Sequence, residues 1–163
     1  MPDQPTSRPR GGLALGALVA LRDLGEPMPG TAIALSPWTD LTLSGASLQA
    51  NRDSDPMVTE RTLGLMADAY LGGTDRRSPT ASPLFADLAG LPPLLLQVGS
   101  GELLLDDATR FAERAEAAGV DVTLERWDDV FHVWHAFADL LPEARDAIAR
   151  IGAHVDQRLG GAR

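Results

Sequence analysis

The chain of 163 residues contains no cysteine and no lysine. The first absence excludes disulfides, thiolate metal sites and thiol nucleophiles, so acid–base chemistry falls to carboxylates, hydroxyls and three imidazoles, His132, His135 and His154. The second means that all 14 basic residues are arginine, with no run longer than Arg76-Arg77, against 23 acidic residues and a net charge of −9. No basic stripe exists for a phosphate backbone, and nucleic acid is not an expected partner. The histidines do not follow the spacing of a metal-binding helix, so neither a metal nor another cofactor is expected. No apolar run approaches the ~20 residues of a membrane span. Met1 to Arg10 lacks the apolar centre of a signal peptide, and the expectation is a soluble, cytoplasmic protein.

What is present suits one globular domain. A hydrophobic content of 44% with 23% charged residues can bury a core, expected over 11–163 behind a polar, proline-rich, extended lead-in at 1–10. Gly11 to Leu24 is apolar on most faces and predicts a buried helix, its opening glycines permitting close approach of another backbone. Thr31 to Leu35 predicts a short strand, and the irregular Trp38 to Thr42 leads into a polar, mobile stretch from Ser44 to Asp55. Thr59 is placed to cap a helix with Leu63, Met66 and Tyr70 on one face, ending at Gly72-Gly73. After a long loop from Thr74 to Pro93, Leu94 to Val98 predicts a strand buried on both faces.

Asp106 to Ala118 predicts a helix with Ala108, Phe111, Ala112 and Ala115 inward, and Val122 to Trp127 alternates as a half-buried edge strand does. A last helix from Pro142 carries Ala144, Ile148, Ile151, Val155 and Leu159 at three- and four-residue spacing. Alternating helices and strands predict an α/β fold, with a short, mostly parallel sheet and helices on both faces.

In such a sheet chemistry gathers at the carboxyl ends of strands. Glu102 follows one strand behind Gly99 and Gly101, and His132 follows the next, so the two can meet there as the acid and base of a nucleophile-base-acid triad. Aromatic neighbours of His132, Phe131 and Trp134, can shield its ring from water. Asp106 and Asp107 compete for the acid role but are explained by favourable charge at a helix amino end. His135 reads as structural and His154 as a surface residue.

These stretches resemble the carboxyl-terminal half of the hormone-sensitive-lipase-like esterases of the α/β-hydrolase fold. The resemblance rests on Gly11-Gly12-Leu13-Ala14-Leu15, Leu35-Ser36-Pro37-Trp38-Thr39-Asp40, Ala69-Tyr70-Leu71-Gly72, Ser82-Pro83-Leu84, Pro92 to Leu96, Gly99 to Leu104 and Phe131-His132-Val133-Trp134. It implies a carboxylic ester hydrolase with Glu102 as acid and His132 as base. The family's nucleophile elbow, Gly-x-Ser-x-Gly, has no counterpart: its serine would fall at Arg8, within Thr6-Ser7-Arg8-Pro9-Arg10, and Ser7 lacks a preceding strand and both glycines. The oxyanion loop and first strands of the sheet are likewise missing, so the expectation is a truncated α/β-hydrolase, inactive alone. Its expected partners are a small ester once the site is completed, a complementing chain, or a second copy paired through the strand Val122 to Trp127. Trp38 and the loop Met57 to Leu65 are candidate pocket residues.

Overall fold

The structure, a computed structural model, describes residues 10–160. Of the lead-in expected at 1–10, residues 1–9, with Ser7, lie outside them, and Arg10 is already helical. Helix α1 (Arg10–Asp23) precedes strand β1 (Ala32–Leu35), followed by a short helix α2 (Ser47–Ala50) and α3 (Glu60–Leu71). Strand β2 (Leu94–Gly99), α4 (Leu105–Ala117), β3 (Val122–Trp127) and α5 (Pro142–Leu159) complete the order, with single 3-10 turns at Pro83–Phe85 and Trp134–Phe137. The sheet is wholly parallel, in the order β1-β2-β3.

Strand β2 is central and buried along its whole length. Leu94 and Leu96 enter a core with Leu15, Leu18 and Val19 of α1 and Phe111, Ala112 and Ala115 of α4. Its opposite face meets α5, where Gln97 Nε2 donates to the Ala147 carbonyl at 3.1 Å. Helices therefore cover both faces, as the apolar β2 sequence requires. Strand β3 is the expected half-buried edge.

Close backbone contacts depend on glycine. A Cβ on Gly12 would collide with the Trp38 carbonyl, and one on Gly16 with that of Thr80, so α1 lies directly against the loop leaving β1 and the loop that follows α3.

Several faces differ from the sequence reading. Helix α1 buries one face only, leaving Leu13, Ala14 and Ala17 exposed. In α3 the buried residues are Leu63, Ala67 and Leu71, and Tyr70 turns to solvent. In α5 they are Ala144, Ala147 and His154, whereas Ile148 and Leu159 are exposed. The small alanines let α5 approach β2 closely enough for the Gln97 bond, which the larger aliphatics would prevent. Ser44 to Asp55 is not a loose polar loop: it contains α2, buries Ser47 and Leu48, and is bonded to the turn after β2.

Candidate active site

The register places Leu35 beside Gln97 and Gly99 beside Trp127, so all three strands deliver their following loops to one rim. Ser36 leaves β1, Glu102 leaves β2 and His132 lies in the turns beyond β3. Directly at the end of β2 the Val130 carbonyl fills the position a Gly99 Cβ would take. The turn carrying the acid is thus pressed against the loop carrying the base.

Glu102 and His132 are brought together. His132 Nδ1 lies 3.0 Å from Glu102 Oε2, while Oε1 accepts from the amide of Gly99 at 2.6 Å and the hydroxyl of Ser36 at 2.7 Å. The Glu102 side chain is fully buried, and these three partners offset the loss of water around its carboxylate. A carboxylate accepts and does not donate, so Nδ1 of a neutral His132 carries the proton and Nε2 keeps its lone pair. That arrangement can take a proton from a hydroxyl at Nε2 and stabilise the imidazolium formed. Among the described residues, the side-chain hydrogen bond of His132 is the one to Glu102.

The acid turn is clamped from the 51–55 segment. Asn51 Nδ2 donates to the carbonyls of Ser100 and Glu102, Ser54 Oγ to that of Gly101, and Asp55 Oδ2 accepts the Leu103 amide. The loop after β1 is fixed from α4, where Asp107 Oδ1 accepts the amides of Thr39 and Asp40, each at 2.8 Å. Burial pushes the Asp107 carboxyl up to about 7, against the pull of those two amides. Burial alone would raise Asp40 too, but the hydroxyls and amides of Ser44 and Thr42 outweigh it and hold that carboxyl below its usual range. Asp106 exchanges hydrogen bonds with Ser47. Both acids stand in the first turn of α4, but they also tie that helix to distant loops, beyond favourable terminal charge.

The other histidines sit in the interior. His135 is buried in the turn after His132, with Nε2 2.9 Å from Gln97 Oε1. Gln97 Nε2 is occupied by Glu125 and the Ala147 carbonyl, which fixes the amide orientation and makes His135 Nε2 the donor. Burial lowers the His135 pKa to about 4. His154, expected at the surface, is only 8% exposed and lies 2.8 Å from Thr31 Oγ1, with burial again lowering its pKa. It was missed because its helix approaches the sheet through alanines. Trp134 stacks on His135, centroids 3.9 Å apart, and Phe131 packs edge-on against Phe137, so the aromatics beside His132 in sequence have other partners.

Trp38 is buried with Leu41, Leu63 and Leu103 and donates Nε1 to the Asp40 carbonyl. An open cleft of about 470 Å³ runs beside the acid turn, between Asn51, Pro56, Ser100, Gly101, Val130 and Phe131. Neither Glu102 nor His132 lines it. Among the described residues no helix is long and apolar enough to cross a membrane, and no group of three or more metal-ligating side chains occurs.

Sequence reasoning missed Ser36, Asn51, Asp55 and the tertiary role of Asp107. The signal available was a serine-proline pair ending a strand and polar side chains opposite a glycine-rich turn.

Comparison with known proteins places the chain in a family. Residues 11–136 match a family model described as alpha/beta hydrolase fold. The chain is 48% identical over 149 residues to an acetyl-hydrolase of Streptomyces hygroscopicus, covering 91% of this chain and 50% of that protein. It is 41% identical to an esterase of Acinetobacter venetianus, covering 85% and 46%. A crystal structure of an esterase from the bacterial hormone-sensitive lipase family superposes with a TM-score of 0.90 at 52% identity, covering 91% of this chain and 50% of that one. A hormone-sensitive lipase from a metagenome library gives 0.89 at 42% identity, with 91% and 51% covered. The chain spans about half the length of the relatives it matches, and it belongs to the α/β-hydrolase fold family, among the hormone-sensitive-lipase-like esterases.

Proposed function

We propose that this chain carries the acid and the base of a serine esterase, Glu102 and His132, within a partial α/β-hydrolase domain over 11–163. The substrate class is a small carboxylic ester, in keeping with relatives named acetyl-hydrolase and esterase. The observation that supports the reading is the 3.0 Å approach of His132 Nδ1 to a fully buried carboxylate already holding two other donors. A serine supplied from outside these 163 residues would attack the ester carbonyl, His132 Nε2 would take its proton, and Glu102 would hold the imidazolium. The 163-residue chain alone is inactive in this reading, because oxyanion donors are worth ~3 kcal/mol or more and a nucleophile cannot be omitted. A cytoplasmic setting is proposed with it.

Incubating the purified chain with p-nitrophenyl butyrate tests this. No turnover above background is expected. Turnover that survives Ser7→Ala and disappears in His132→Ala would reveal a nucleophile within the chain itself.

A second reading, a non-catalytic binding or complementation module, is favoured by one observation. Among the described residues β1 pairs on one side only, with β2, and its other edge can accept a further strand. The occupant would be a complementing chain or a second copy, which could also pair through β3. Size-exclusion chromatography giving a monomer at high concentration would exclude self-pairing.

A further inference from the structure

Ser36 stands one residue beyond β1, and its hydroxyl joins the two loops that bear Glu102 and His132. Oγ lies 2.7 Å from Glu102 Oε1 and 3.0 Å from the amide nitrogen of Val133, the residue after His132. The amide can only donate, so Oγ accepts from Val133 and commits its single proton to Glu102. Both backbones are left-handed at this junction, with φ of +46° at Ser36 and +53° at Val133. Such conformations are costly for serine and more so for a β-branched residue, and they persist only where surrounding contacts hold them. Ser36 is 3% exposed, and the contacts that hold its backbone are the hydrogen bonds of its amide to the Gln97 carbonyl and of its hydroxyl to Glu102 and Val133.

The consequence for Glu102 is directional. Oε1 is occupied by Ser36 and the Gly99 amide, which leaves Oε2 as the oxygen turned to the imidazole. We propose that Ser36 is a positioning residue for the acid–base pair: one hydroxyl fixes the carboxylate's orientation and anchors the backbone behind His132. The inference rests on reading Glu102 and His132 as acid and base. Ser36 is not a nucleophile, since its proton faces the carboxylate and it has no hydrogen bond to the imidazole.

The test uses the ¹⁵N-labelled chain and two NMR signals, the His132 Nδ1–H resonance and the hydrogen exchange of the Val133 amide. Ser36→Ala removes the hydroxyl. Ser36→Gly removes it while easing the left-handed backbone, so it guards against a variant that merely fails to fold. With a dispersed spectrum retained, the expected result is loss of the Nδ1–H resonance and exchange at Val133 faster by roughly tenfold, the loss of one buried hydrogen bond. The proposal is overturned if Ser36→Gly leaves Nδ1–H at the parent's position and intensity, or if that variant unfolds, which would assign Ser36 to stability alone. A parent chain without the resonance would instead sink the acid–base pair, leaving Ser36 nothing to position.

Discussion

The carbonyl of Val130 occupies the space in which a side chain on Gly99 would stand, so the acid turn and the base loop touch through backbone. Gly99→Ala forces them apart. Overpacking of this kind costs about 1–3 kcal/mol, and a lower midpoint in urea denaturation is expected. The same variant should weaken the His132 Nδ1–H signal, because the Gly99 amide also holds Glu102.

Asn51 places both protons of one amide on the carbonyls of Ser100 and Glu102, at 2.9 and 2.7 Å. Asn51→Ala leaves these carbonyls without that partner, at about 1–3 kcal/mol. Hydrogen exchange should show faster exchange at the amides of Glu102 and Leu103 while those of β2 stay protected.

Two buried groups give stability opposite dependences on pH. Asp107 rises from 3.8 to about 7 on folding, chiefly by burial, so its contribution is complete below 3.8 and is lost as pH climbs through 7. His135 falls from 6.5 to about 4, also by burial, so its contribution is complete above 6.5 and is lost as pH drops through 4. Over the shared window the two slopes oppose each other. Relative to the parent, Asp107→Asn should gain stability as pH rises from 4 to 7, and His135→Gln should lose it from 4 to 6.5. Each slope is limited to about 1.4 kcal/mol per pH unit. Thermal or urea unfolding across that range reads both differences, and parallel curves for parent and variants would contradict the burial argument.

Much of this arrangement is legible in the sequence, for physical reasons that also explain the misses. Leu94 to Val98 announces a central strand because a run of large aliphatics needs cover on both faces, and the parallel sheet then places Glu102 and His132 on one rim. Gly11 and Gly12 read correctly as a place where another backbone comes close, and Leu35 and Pro37 meet the first and Trp38 the second. Periodicity misjudged α5 because Ile148 and Leu159 outrank alanine in hydrophobicity, while close helix–sheet packing selects Ala144 and Ala147. Ser44 to Asp55 read as mobile because polarity alone does not say whether a side chain meets water or another backbone, and here Asn51, Ser54 and Asp55 meet the acid turn. Ser36 reads in the sequence only as part of a strand-ending motif, since a hydroxyl that joins residues 66 and 97 positions away leaves no local pattern.

Ester turnover after complementation is the most direct measurement. The half of the Streptomyces hygroscopicus acetyl-hydrolase that this chain does not match would be co-expressed with it and assayed with p-nitrophenyl butyrate. Turnover is expected only when both are present, falling by about 10³-fold or more in His132→Ala and in Glu102→Ala. A soluble, associated pair whose turnover is unaffected by either substitution would contradict the assignment of Glu102 and His132 as acid and base.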